Sequence, residues 1–221
     1  LSGCGSGTPV STDVVVEPTP KAVLTNNDGT VCSGGNVDIG VTSPTVPSVP
    51  ANLVFDVAVS STDDGSMGGT AWAAVSNHAF PHTIGGTLTN SSDEDIVVTF
   101  TVTPKLTGCL SGTPRITTVT VEPTPQAAIV NSATPVCNSG NVNIAITSPT
   151  VPSVPGDLGF NLVVTSDNDA ALGGTASVDL PGASFPRTLG GTLTNSSDDF
   201  ITVTYTVTPT LSNSYPTLRT Y

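Results

Sequence analysis

Residues 96–104 read IVVTFTVTP and residues 201–209 read ITVTYTVTP. In the first, Ile96, Val98, Phe100 and Val102 alternate with Val97, Thr99, Thr101 and Thr103. A period of two turns successive side chains to opposite sides of the backbone, so the stretch predicts a strand with one apolar and one wet face. The second copy keeps the pattern with Ile201, Val203, Tyr205 and Val207. Antiparallel sheets that bury a single face are built from such segments.

The distance between the copies governs the whole chain. VEPTP at 16–20 returns at 121–125, TSPTVPSVP at 42–50 returns at 147–155, and GGTLTNSSD at 85–93 returns at 190–198, each offset by 105 (121 minus 16). An ungapped internal repeat sets the architecture before any single motif does. Further strands are expected over 22–25, 36–42, 53–60, 70–75, 87–89 and 116–121. Between them stand the turn signals NNDG, SPTVPSVP, DDGSMGG and SSDED. About seven short strands in ~100 residues, with almost no helix, predict an all-β fold of two tandem immunoglobulin-like β-sandwich domains.

Proline-rich EPTP segments are the expected linkers, since two prolines are excluded from a central strand and stiffen the chain. They divide the sequence into residues 19–123 and 124–221, with 1–18 left over. By offset, 1–18 matches the last strand of a repeat and its approach. It is expected to be the final strand of a preceding or neighbouring repeat, with Val14 and Val16 as its core residues. The second domain, read to Tyr221, is expected to lack its own complete last strand.

The 221 residues include 22 Gly and 19 Pro, and 5 Lys plus Arg face 17 Asp plus Glu for a formal charge of −12. Such a surface repels phosphate backbones and anionic headgroups, which argues against nucleic-acid or membrane partners. No apolar run approaches the ~20 residues of a membrane-spanning helix.

LSGC at 1–4 has the form of a lipid-attachment box, but LTGC at 106–109 and LSNS at 211–214 are copies of the same place in the repeat. Cys4 is therefore expected to mark a repeat position, not an anchor. Of the other cysteines, Cys32 and Cys109 fall inside the first domain and are expected to form a disulfide, which implies an oxidising, extracellular location. Cys137 holds the Cys32 position of the second domain, where Ser214 replaces its partner. Cys4 is expected to serve as that partner from a neighbouring unit.

Candidate chemistry is sparse. His78 and His82 in HAFPH map to Ala183 and Arg187, so a reaction there would not be shared by both repeats, and a surface loop is expected. No GxSxG, HExxH or phosphate-cradling loop occurs. The acids at 63–64, 93–95, 167 and 169, and 198–199 lack the spacing of a calcium loop and are expected to be solvated. The sequons at Asn90 and Asn195 read as turns. No catalytic residue, cofactor or metal site is expected.

The ordered set VTFTVTP (98–104) or VTYTVTP (203–209), then GC with a further Gly, then TVTVEPTP (118–125) resembles the PKD-like repeats of giant Bacteroidota surface proteins, gliding-motility adhesins among them. WDFGDG, usual in polycystic-kidney-disease domains, is absent, and Trp72 sits in TAWAAV instead. The resemblance covers nearly the whole chain and implies a structural or adhesive role rather than a reaction. The expected function is thus an extracellular thread or filament at the cell surface, its partner further copies of the chain head to tail. The alternative is a module that binds a surface polysaccharide through Trp72 or the DDGSMGG loop. Trp72 maps to Ser177, so such a site would belong to the first domain alone.

Overall fold

The computed structural model describes residues 8–212. Among them there is no α-helix; two single 3-10 turns, Pro50–Asn52 and Pro155–Asp157, stand at matching places in the two repeats. The first repeat contributes β1 (Val23–Asn26), β2 (Thr30–Cys32), β3 (Asn36–Thr42), β4 (Leu53–Ser61), β5 (Met67–Gly68), β6 (Val75–Ala79), β7 (His82–Thr87), β8 (Thr89–Asn90), β9 (Ile96–Leu106) and β10 (Arg115–Glu122). The second contributes β11 (Ala128–Asn131), β12 (Gly140–Thr147), β13 (Leu158–Ser166), β14 (Leu172–Gly173), β15 (Leu180–Ser184), β16 (Arg187–Asn195) and β17 (Val203–Leu211).

In the first repeat a three-stranded sheet, β1-β3-β7, faces a five-stranded sheet, β2-β10-β9-β4-β6. All these pairings are antiparallel except β2 with β10, which is parallel. Alternation decides what is buried. Ile96, Val98, Phe100 and Val102 of β9 turn inward with Val119 and Val121 of β10, against Val37, Ile39 and Val41 of β3. A separate cluster, including Val142, Ile144, Ile146, Phe160 and Leu162, fills the second repeat. There the sheets are β11-β12-β16-β14 and β15-β13-β17. Among the described residues the latter has no counterparts of β2 and β10, so three strands stand where the first repeat has five.

The expected strand at 70–75 is instead a turn, and β6 begins only at Val75. Gly69 explains the difference. It sits at φ +104°, and a Cβ there would lie 2.2 Å from the carbonyl oxygen of Thr87. The backbone thus crosses directly over another strand, while Trp72 N–H closes back on the Gly69 carbonyl. Apolar residues in TAWAAV mark side chains plugging the sandwich: Ala71 is buried and Trp72 packs half-buried on the core.

HAFPH is likewise not a surface loop. His78 lies on β6 in one sheet and His82 on β7 in the other, with Phe80 and Pro81 carrying the chain across. The imidazole centroids are 4.6 Å apart, and both rings pack on Phe55.

Candidate functional site

β10 shows what the second repeat is built to hold. It is paired on one side with β9, Val119 opposite Val98 and Val121 opposite Ile96, and on the other with β2. Asn90 fastens it from below. Its Nδ2 donates to the carbonyls of Glu94, 2.7 Å, and Val121, 2.9 Å, while its Oδ1 accepts from the N–H and hydroxyl of Ser92. Asn90 is buried by these bonds, as a polar side chain in a core must be. The sequon is therefore a structural clip.

The corresponding lane in the second repeat is a cleft of about 690 Å³, lined by Val136, Val142, Leu193, Ile201, Val203 and Tyr205 among others. Among the described residues, β17 pairs with β13 and with no strand on its other edge. Its apolar side chains Val203, Tyr205 and Val207 are only half-buried, although their counterparts Val98, Phe100 and Val102 are fully buried. The β11 face shows a weaker contrast: Ile129 is exposed where its counterpart Leu24 is half-buried. Adding the offset to the bounds of β10 gives positions 220–227, past the described residues. Burial in the lane raises the Tyr205 hydroxyl pKa, and that hydroxyl donates to the Ala176 carbonyl at 3.0 Å.

The loop at the mouth of this lane is already shaped like its counterpart. Asn195 Nδ2 donates to the Asp199 carbonyl at 2.7 Å, and its Oδ1 accepts from Ser197 N–H and hydroxyl, reproducing Asn90 bond for bond save for the one to Val121.

Residues 8–22 form the matching half. They carry no strand, and Val14 and Val16 are 82% and 88% exposed. By offset these valines match Val119 and Val121, both fully buried. The segment is nevertheless anchored to its own repeat. The Glu17 carboxylate accepts from the N–H and hydroxyl of Ser48, as Glu122 does from Ser153.

The Glu122 contact belongs to a junction between the repeats that sequence reasoning missed. Val151 N–H donates to the Asp93 carbonyl at 2.7 Å, Asp95 N–H donates to the Val151 carbonyl at 3.2 Å, and Gln126 Nε2 donates to Asp93 Oδ1 at 2.8 Å. The Asp93 carboxylate is thus a docking group, not only a solvated charge, while Asp95 docks through its backbone. The only signal in the sequence was that both SSDED and TSPTVPSVP sit inside blocks repeated almost unchanged. Asp64 and Asp169 instead close their own turns on Ser61 and Ser166. Among the described residues, no three His, Cys, Asp or Glu side chains converge as a metal site would require.

The expected Cys32–Cys109 disulfide needs correction. Cys32 is in register with Glu122, at one end of β10, while Cys109 sits in the turn after Leu106, before the other end at Arg115. Seven steps of ~3.4 Å put about 24 Å between those ends, several times the span of a disulfide. Cys109 has a free thiol. Cys4 lies outside the described residues.

No family model matches the chain, and no curated protein matches it. Solved structures do. The FdeC adhesin of Escherichia coli aligns at 15% identity and TM-score 0.44, over 89% of this chain and 62% of its own. The chain therefore spans less than two thirds of that structure. The chaperone–tip adhesion subunit complex of Acinetobacter baumannii Csu pili aligns at 7% identity and TM-score 0.31, over 86% and 97%. The alpha-2-macroglobulin of Escherichia coli aligns at 11% identity and TM-score 0.34, over 89% and 16%. At TM-scores below 0.5 these likenesses carry no conclusion about function. No helix among the described residues is long and apolar enough to cross a membrane.

Proposed function

We propose that this chain is an extracellular structural and adhesive repeat protein of the PKD-like kind, two immunoglobulin-like sandwiches on proline-rich linkers, whose copies join head to tail into a surface filament. Residues 8–17 of one copy enter the cleft beside β17 of the next and take the place that β10 holds in the first repeat. The observation that carries this is the pairing of a half-covered apolar lane with an unpaired segment of the matching sequence in the same chain. Main-chain hydrogen bonds would complete the sheet, and Val14 and Val16 would fill the slots that Val119 and Val121 fill at home. Covering β17 also removes an exposed edge of the sort that otherwise drives aggregation. Since donor and acceptor are different surfaces, the contact does not close on itself and propagates.

Deleting residues 1–18 tests it. The shortened chain should stay monomeric by light scattering and show no filaments in electron micrographs, with a second repeat that melts early. A synthetic peptide of residues 8–18 should raise that melting temperature. Filaments formed equally well by the shortened chain would overturn the proposal.

A further inference from the structure

The junction between the two repeats is held by two preformed halves, and each half exists a second time, facing outward. On the receiving side, Gln126 N–H bonds Thr150 Oγ1 at 2.9 Å and its carbonyl accepts from Ser148 Oγ at 2.6 Å. Lys21 N–H bonds Thr45 Oγ1 at 2.9 Å, and its carbonyl accepts from Ser43 Oγ at 2.6 Å. Lys21 and Gln126 are thus set on their repeats in the same way, each beside its Glu–Ser clamp. On the presenting side, the Asn195 loop repeats the Asn90 loop, which places Asp198 where Asp93 stands.

We infer that successive copies also meet through a copy of this junction, in which the Lys21 ammonium of the incoming chain pairs with the Asp198 carboxylate of the accepting chain. This rests on the strand-donation reading, and it names the partner of a surface that reading leaves unassigned. The pair takes the place of the Gln126–Asp93 hydrogen bond, a neutral donor being replaced by a charged one. Beside it, Val46, 83% exposed, comes to the station of Val151, and Phe200, 88% exposed, to that of Asp95. At the internal junction Val151 is 52% exposed and Asp95 half-buried, so the two apolar side chains would be partly covered together.

The change from Gln to Lys has a physical reason. The internal junction forms between tethered repeats, whereas copies carrying a charge of −12 each must find one another against mutual repulsion. An opposite charge at the contact assists encounter and fixes which ends meet. Lys105 already pairs with Asp56, so Lys21 is one of few cations free for this task.

The test is charge reversal in the full 221-residue chain, reading the concentration at which filaments appear. Lys21→Glu should raise it about tenfold or more, since like charges then face each other. Asp198→Lys should do the same, and the double variant Lys21→Glu/Asp198→Lys should recover most of the loss. Lys21→Gln, which rebuilds the internal pair, should assemble near the wild-type concentration but with a weaker dependence on salt. Unchanged melting of the unassembled variants controls for misfolding. If both reversals assemble like wild type while deletion of residues 1–18 still abolishes filaments, this junction is wrong and strand donation stands. If the deletion has no effect, both fail.

Discussion

Asn90 donates from Nδ2 to the carbonyl of Val121 at 2.9 Å, and Asn195, its equivalent 105 residues on, donates from Nδ2 to the Asp199 carbonyl alone. One asparagine ties down a strand within the chain; the other has the same reach over the open lane. Asn90→Ala should therefore destabilise the first repeat by about 1–3 kcal/mol, the cost of leaving a buried carbonyl and its neighbours unpaired. Asn195→Ala should cost the monomer less, since only the loop bonds to Ser197 and Asp199 are lost, and under the strand-donation proposal it should also weaken assembly, because the partner matching Val121 would be the carbonyl of Val16 from the next copy. Calorimetry on monomers, with filament yields for both variants, separates the two effects.

The cysteines give a second prediction. Cys32 and Cys109 lie at opposite ends of β10, so peptide mapping without reduction should recover no peptide in which these two are joined. A Cys109→Ser variant should match the parent in melting temperature, since the Cys109 thiol is exposed and bonds nothing across the fold. A drop of the ~2–4 kcal/mol typical of a lost disulfide would contradict this topology.

The histidine pair sets a pH dependence. Burial between the sheets lowers the pKa of His82 from 6.5, and the charge of nearby His78 lowers it further. The folded state therefore favours the neutral imidazole. Stability from this source is full above 6.5 and is lost as pH falls through the lowered value in the folded protein. The first repeat should melt at a lower temperature near pH 5 than near pH 7.5, and His82→Gln should flatten the difference. Asp56 acts in a separate window. The hydrogen bond from Lys105, with that from Asn77 N–H, lowers its pKa, so its contribution persists down to 3.8 and fades below that.

Much of the fold was legible because the strands obey a strict alternation. In β9 every second residue from Ile96 to Leu106 is buried, and β3 spans the expected residues 36–42. The misreadings share a cause. Thr70 to Val75 looked like a strand because apolar residues mark burial, but Gly69 bends the backbone across Thr87 and no local pattern records a crossing strand. Cys32 and Cys109 were matched because they share a repeat, though repeat membership does not say which end of a sandwich a residue occupies. Asp93 was read as solvated because its partners, Gln126 and Val151, come from the next repeat. Val14 and Val16 can be matched to Val119 and Val121 because the offset maps them onto a complete strand.

The parity of that strand yields the sharpest prediction. If residues 8–17 adopt the register of β10, Val14 and Val16 enter the core, as Val119 and Val121 do, while Val15 follows Thr120 to the outer, half-exposed side. Three neighbouring valines, all exposed in the monomer, would then have opposite roles. Val14→Asp or Val16→Asp would force a carboxylate into an apolar slot and should raise the assembly concentration a hundredfold or more, on the order of 3 kcal/mol. Val14→Ala and Val16→Ala remove about two methylene equivalents each, near 1.5 kcal/mol, and should raise it roughly tenfold. Val15→Thr copies the residue at 120 and should assemble like wild type. None of these changes touches the folded monomer, so its melting should be unaltered throughout. Equal sensitivity at 14, 15 and 16 would point to a generic sticky segment, and sensitivity at 15 alone to a strand shifted by one residue, which turns its core face outward.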